Sequence, residues 1–438
     1  MSGEEAGTPP QGSRRGWWVL FLLTLTYTVN PMDRQLLPML AQTIKAEFAL
    51  SDTALGLLSG IVFALFYMTV AVPVAWLADR WNRVRIIAVS CLAWSGFTAL
   101  SGLSGNVTQL ALARIGVGIG EAGGAAPSYS LVAEHFAPSQ RARAMAILNL
   151  GLPLGIGGGV LLAGLVGGAY GWRTAFVVAA LPGAVLALLL LLTVTDPRPA
   201  INLTDGGDGD DRAPSLPAAF AIFFRSPVLL RTTLATGLAA AAFLGMTTWL
   251  PAYLMRVLGM SLQQVGLYFG LASGLGMAAG LALGGVLADQ FARRNPRHIV
   301  TVPALGLFLA APLLAILLTV GAGPAAIVLA MLPIGCGLIY SGPATAVIQN
   351  AAPPAARSTI SALYLFVANI VGQGGGPLFV GFVSDRLAPA YGGGSLRWGL
   401  TALLPLFVAA GLAFLWAGRA IAPAQRRLGS AKTFEVAR

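Results

Sequence analysis

Residues 299–356 read IVTVPALGLFLAAPLLAILLTVGAGPAAIVLAMLPIGCGLIYSGPATAVIQNAAPPAA, 58 residues without an Asp, Glu, Lys or Arg. A helix of about 20 apolar residues crosses the hydrocarbon core of a bilayer. This stretch is long enough for two crossings, and Gly321-Ala322-Gly323-Pro324 supplies the break between them. The rest of the chain agrees. Of 438 residues, 56% are hydrophobic and only 10% charged, with mean hydropathy +0.77. A soluble domain carries about 25% charged residues. Composition therefore argues against a water-soluble enzyme and against disorder, and for an integral membrane protein.

Working outward from that stretch, the apolar pattern predicts twelve spans, at about 17–40, 53–78, 86–104, 108–131, 141–168, 172–195, 228–255, 262–288, 298–320, 324–350, 358–385 and 397–418. The polar segment 1–16 runs directly into the first span without a small-residue cleavage site, so that span is expected to be retained. Cys91 and Cys336 both fall in apolar spans, which implies neither a disulfide framework nor a metal site.

Net charge is +11. With the N-terminus placed in the cytoplasm, 20 of the 27 Lys and Arg residues fall on inside segments and 5 on outside ones. That bias sets the orientation with both termini inside, and it accounts for the basic charge without a nucleic-acid partner. The chain has 25 Arg against 2 Lys and abundant Ala and Gly, a composition expected of a GC-rich bacterial genome, so the predicted location is a bacterial inner membrane.

The longest polar segment, Asp196 to Arg225, holds Asp205, Asp208, Asp210 and Asp211 among Gly and Pro. It reads as a flexible linker between two six-span halves. The predicted organisation is a tail (1–16), an N-terminal bundle (17–195), a cytoplasmic linker (196–226), a C-terminal bundle (227–420) and a second tail (421–438). The halves are weakly alike. Leu77-Ala78-Asp79-Arg80 closes span two, and Leu287-Ala288-Asp289-Gln290 closes span eight. Gly-rich span five (Gly151, Gly155, Gly157, Gly158, Gly159) is matched by Gly-rich span eleven (Gly372, Gly374, Gly375, Gly376). Repeated six-span halves mark secondary transporters, with the substrate site near the midplane.

These features resemble the major facilitator superfamily over essentially the whole chain. The loop after span two, Ala75-Trp76-Leu77-Ala78-Asp79-Arg80-Trp81-Asn82-Arg83-Val84-Arg85, is similar to that family's G-x-x-x-D-R-x-G-R-R signature, with Ala75 and Asn82 in place of the glycines. Span four, with Arg114-Ile115-Gly116-Val117-Gly118-Ile119-Gly120-Glu121, is similar to its R-x-x-x-G-x-G-E pattern. Within the superfamily, Asn30-Pro31-Met32-Asp33-Arg34 resembles the Asn-Tyr-x-Asp-Arg motif of the spinster group, with Pro31 at the Tyr position. The resemblance implies an all-α fold of two pseudo-symmetric six-helix bundles, a monomer, and a lipid-like amphiphile as substrate. The group is associated with proton-linked export of lysolipids and sphingoid lipids.

Four ionisable residues lie well inside the predicted spans: Asp33, Arg34, Arg114 and Glu121. Each charge at a helix centre costs about 2.5–3.5 kcal/mol on insertion scales, and intramembrane charges are functional by default. Arg114 and Glu121 are seven residues apart, on one helix face and about 10 Å apart along the axis, too far to bridge easily. In the superfamily spans one and four both line the cavity, which implies Arg114–Asp33 or Arg34–Glu121 pairs. Burial and a nearby arginine act oppositely on a carboxylate's hold on its proton, so a conformational change can load or unload it. Asp33 and Glu121 are the candidate proton carriers. Arg34 and Arg114 are the candidate charge partners or head-group ligands. The bland alternative is an ion-pair network that only fixes helix packing. The remaining candidates are Tyr27, Asn30, Trp249, Tyr253 and Asn369 as cavity lining, and Asp79, Arg80, Arg83 and Asp289 as a cytoplasmic gate, the gate leaning on the family.

Other classes lack their marks. There is no G-x-x-x-x-G-K-[ST] for a primary pump, no catalytic or metal-ligand constellation for an enzyme, and no filter or charge ring for a channel. No cofactor is expected beyond the proton as coupling ion. The leading expectation is a proton-coupled exporter of a lysolipid-like or sphingoid-like amphiphile, an antiporter working by alternating access. A broad efflux or organic-anion carrier is the runner-up, and a non-transporting membrane sensor is the distant alternative.

Overall fold

Inside a bilayer no water satisfies a bare N–H or C=O, so the backbone must close its hydrogen bonds within helices or a barrel. This chain takes the first solution. The computed structural model describes residues 14–197, 216–321, 323–353 and 356–436, and among them there are helices and no strand. The chain divides into two compact units, Met1–Leu40 with Leu65–Gly207, and Ala41–Ala64 with Asp208–Arg438.

The first unit begins with most of α1 (Arg14–Phe48). Helix α2 (Asp52–Ser59) belongs to the second unit, and α3 (Ile61–Arg80) returns the chain to the first. There follow α4 (Arg83–Gly102), α5 (Val107–Glu121), α6 (Ala125–His135), α7 (Pro138–Asn149), α8 (Gly151–Tyr170) and α9 (Trp172–Thr193). Two of these starts are set by side-chain caps. Asn82 accepts from the Arg85 N–H at 3.0 Å to open α4, and Asn106 accepts from the Gln109 N–H at 2.9 Å to open α5. Helix α5 stops at Glu121, where Ala122-Gly123-Gly124 turns the chain into α6.

Two contacts fix the functional face of α1. A Cβ at Gly155 of α8 would stand 2.1 Å from the Thr28 carbonyl oxygen, and one at Gly159 would stand 2.3 Å from that of Met32. Only glycine allows α8 to lie this close to the α1 backbone, a packing mode that membrane helices favour.

The second unit continues with α10 (Leu216–Arg225), α11 (Pro227–Arg256), the short α12 (Leu262–Gln264), α13 (Gly270–Arg294), α14 (Thr301–Thr319), α15 (Pro324–Leu338), α16 (Ser341–Ala351), α17 (Arg357–Asn369), α18 (Gly376–Tyr391), α19 (Ser395–Thr401) and α20 (Leu404–Val436). Wider π turns at Val265–Phe269 and Ile370–Gly375 lead into α13 and α18.

Nine apolar stretches among the described residues are long enough to cross a membrane. They cover ten of the twelve expected spans, because Thr359–Ile421 holds two of them. The other two expected spans fall on α1 and on α5 with α6. Those are the helices that carry Asp33, Arg34, Arg114 and Glu121. Polar residues depress hydropathy in α1, and α5 ends after 15 residues.

The linker expectation needs one correction. Residues 198–215 lie outside the described part, but residues 216–225 form α10. Their sequence, LPAAFAIFFR, is apolar, and Phe223 is buried against Leu229, Ile348, Ala352, Ile360 and Tyr364. Apolar burial there outweighs the flexibility expected from the neighbouring Asp and Gly residues.

Candidate functional site

The site lies inside the first unit, where α1, α4 and α5 meet. Asp33 and Arg34 are neighbours on α1, so their side chains leave the helix about 100° apart and find separate partners. Arg114 Nη1 lies 3.5 Å from Asp33 Oδ1, and Arg34 Nε lies 2.6 Å from Glu121 Oε2. Arg114 and Glu121 sit two turns apart on α5. The reach of the two guanidinium arms lets adjacent residues of α1 meet both of them.

Asp33, Arg114 and Glu121 are each 2% exposed or less, and the Arg34 side chain is 25% exposed. Buried charges are tolerated only when paired and hydrogen-bonded. Asp33 Oδ2 also receives the Thr98 hydroxyl at 2.6 Å. The Arg34 guanidinium carbon stands 4.7 Å from the centroid of the Tyr67 ring, a cation–π distance. Glu121 Oε1 is buried and makes no hydrogen bond.

Arg34 and Glu121 face a cavity of about 110 Å³ that Thr26, Tyr27, Asn30, Tyr67, Trp94 and Ser128 also line. At about 30 Å³ per water molecule it holds three or four waters, or a small polar group. Tyr27 begins a chain of hydrogen bonds with a fixed direction. Asn149 Nδ2 donates to the Met145 carbonyl at 2.8 Å, so its Oδ1 accepts from the Tyr129 hydroxyl at 2.9 Å. Tyr129 then accepts from Tyr27 at 3.2 Å. With its proton used, Tyr27 offers further groups only an acceptor oxygen.

The other predicted residues are placed as follows. Tyr27 and Asn30 line this cavity. Trp249 and Tyr253 do not. Both are covered inside the second unit, where Trp249 Nε1 donates to the Pro377 carbonyl at 2.8 Å and Tyr253 Oη to that of Leu318 at 3.1 Å. Leu318 is in the last turn of α14, where carbonyls have no partner within the helix, so Tyr253 acts as a fastener. Asn369 bonds back to the Leu365 carbonyl at 2.8 Å, just before the π turn that leads into α18. Arg83 is 1% exposed and engaged within the first unit. It holds Asp196 at 2.6 Å and Glu134 through two nitrogens, which ties the start of α4 to the end of α6 and to the segment that follows α9. Gate duty for Arg83 would require breaking both contacts. Asp289 is exposed on α13. The side chains of Asp79 and Arg80 lie outside the described part.

Sequence reasoning missed Thr98 and Tyr67. It also missed a cluster in the second unit. There Asp52 at the start of α2 accepts from Arg256 at 2.7 and 3.1 Å and from Ser384 at 2.7 Å, and pairs with Lys45. Asp385 accepts the N–H groups of Asp52 and Thr53 at 2.9 and 2.7 Å. The available signal was Ser51-Asp52 ahead of an apolar run, an N-cap pattern.

A model of the Major Facilitator Superfamily matches residues 23–377. The chain belongs to that superfamily. A major facilitator superfamily efflux pump of Mycolicibacterium smegmatis is 34% identical over 415 residues, which are 92% of this chain and 93% of that one. The mouse protein spinster homolog 1 is 29% identical over 86% of this chain and 75% of its own. Among solved structures, a bacterial homologue of the human lysosomal transporter spinster, inward-facing and unoccupied, superposes with a TM-score of 0.84. It is 28% identical and covers 94% of this chain and 99% of that one. The chain is thus an all-α, multi-pass membrane protein of the major facilitator fold, related to spinster proteins and to efflux pumps.

Proposed function

We propose that this protein is a proton-coupled secondary active transporter that exports a lipid-like amphiphile, of lysolipid or sphingoid type, by proton antiport. One observation carries the reading. A buried carboxylate, Glu121, is bound to Arg34 on one oxygen, has no partner on the other, and borders a cavity with room for a small polar group. A second buried carboxylate, Asp33, stands beside it on the neighbouring arginine. When Arg34 moves away with its helix, Glu121 loses its counter-charge in a water-poor site and takes a proton instead, and a cationic head group drawn to the Glu121 carboxylate displaces that proton, as antiport requires. Protonation then reports which state the protein occupies, and alternating access couples the two flows. The Arg34 guanidinium suits a phosphate or carboxylate, and Tyr27 and Glu121 offer acceptors to an ammonium or hydroxyl. The cavity has room for a small polar head group.

The resemblance to spinster proteins supports the lipid-like substrate. The arginine bias of the loops supports an inner-membrane location with both termini in the cytoplasm. The superfamily likeness supports a monomer. One observation favours a second reading: the mycobacterial relative, at 34% identity, is an efflux pump, so broad-specificity export is the alternative.

Purified protein in proteoliposomes with an acidic interior tests both readings. Labelled lysophospholipid should accumulate inside above its equilibrium level. Asp33→Asn and Glu121→Gln should abolish accumulation. Accumulation of organic anions or cationic dyes but no lysolipid would favour the broad efflux carrier. Accumulation unchanged in both variants would refute the coupling.

A further inference from the structure

Thr98 stands on α4 with its hydroxyl between two acceptors. Oγ1 lies 2.6 Å from Asp33 Oδ2 and 2.9 Å from the Trp94 carbonyl oxygen, and the residue is 1% exposed. A threonine hydroxyl carries one proton and two lone pairs, so at full strength it donates to one of these oxygens at a time. The Trp94 carbonyl already serves the helix ladder, but its second lone pair leaves room for the hydroxyl.

That arrangement suits a carboxyl group that changes its protonation state. While Asp33 is ionised, the carboxylate takes the Thr98 proton in a charge-assisted bond. When Oδ2 gains a proton, the new O–H donates to Thr98 Oγ1, and the threonine proton turns to the Trp94 carbonyl. No heavy atom moves, and Thr98 ends with the proton it began with. The charged groups around Asp33 cannot do this. Arg114 on α5 lies 3.5 Å from the other carboxyl oxygen and can only donate. Arg34, on α1 itself, is taken up by Glu121 of α5. Without Thr98 the protonated carboxyl would lose the acceptor that its Oδ2 faces.

We propose that Thr98 is a positioning residue that keeps Asp33 hydrogen-bonded with and without its proton, through the rotation of one hydroxyl. This rests on the reading of Asp33 as a proton carrier.

Infrared difference spectra of the full-length protein in lipid, recorded across pH, test it. The band of protonated Asp33 is the one that Asp33→Asn removes. It should be unchanged in Thr98→Ser and move to higher wavenumber in Thr98→Val, where the carboxyl O–H loses this acceptor. Substrate-driven proton flux should fall about tenfold in Thr98→Val, the effect of one lost hydrogen bond to a buried group, and return in Thr98→Ser. Thr98→Ala, smaller and without a hydroxyl, replaces the valine variant should that one not fold. A band that stays in place in both hydroxyl-free variants, or full flux in either, overturns the role of Thr98 alone. Full flux in Asp33→Asn, or no band lost there, overturns the parent reading and this one with it.

Discussion

At the residue scale, the four charges inside the spans act as two pairs, and the pairs are a liability as well as a device. Removing one partner of a buried pair is destabilising by about 3–5 kcal/mol, whereas replacing both with apolar residues is often neutral. Arg34→Met should therefore lower the thermal midpoint, while Arg34→Met with Glu121→Leu should recover most of the loss. Both variants should be dead in transport. Melting curves in detergent with parallel flux assays check this, and a double variant no more stable than the single one would mean that the pair does not share one buried environment. The charges were legible in the sequence because a charge inside an apolar span announces its insertion penalty. Thr98 was not, because a threonine bonding to the carbonyl four residues back is commonplace in membrane helices and its second acceptor comes from a different helix. Trp249 and Tyr253 misled for the opposite reason. An aromatic residue with a polar tip suits a cavity wall, but it also suits a buried carbonyl with a spare lone pair, and packing decided for the latter.

At the scale of the element, α8 holds α1 through glycines on one face. Gly155→Ala should lower the thermal midpoint by several degrees, because its Cβ has no room beside the Thr28 carbonyl. Gly158→Ala points into open space and should leave the midpoint unchanged or slightly higher. Equal effects in the two variants would contradict the packing of α8 on α1. Helix α2 has a different fastening. The Asp385 carboxylate receives its first two N–H groups, a capping role worth about 1 kcal/mol. In Asp385→Ala, amide exchange across Asp52–Ser59 should quicken roughly fivefold, read by mass spectrometry, with α4 unaffected. The apolar helices were legible as runs. The identity of this cap was not, since residues 52 and 385 are far apart in sequence and only the fold joins them.

For the whole molecule, the polar segment after span six and the paired Leu-Ala-Asp motifs predict two six-span halves. What sequence could not show is that Ala41–Ala64 belongs to the compact unit of the second half while both its neighbours belong to the first. Chain order does not determine contact partners, and the Asp52 cluster with Arg256 and Ser384 is one of the contacts that hold that segment. The proposed orientation makes its own prediction. Single cysteines placed at Ser13 and Ser430, in a background with Cys91 and Cys336 replaced, should react with an impermeant maleimide only after the inner membrane of cells is opened. Labelling of either position in intact cells would reverse the topology.

The central claim, proton-coupled export, is tested most directly by proton movement that substrate alone drives. Proteoliposomes carrying an internal pH dye, with no imposed gradient, should turn alkaline inside when lysophospholipid is added outside, because antiport sends protons out as substrate enters. The signal should vanish in Asp33→Asn and in Glu121→Gln. Substrate entry without any change in dye signal, at equal rates in wild type and both variants, would contradict the claim and leave the two carboxylates as structural ion pairs in a uniporter.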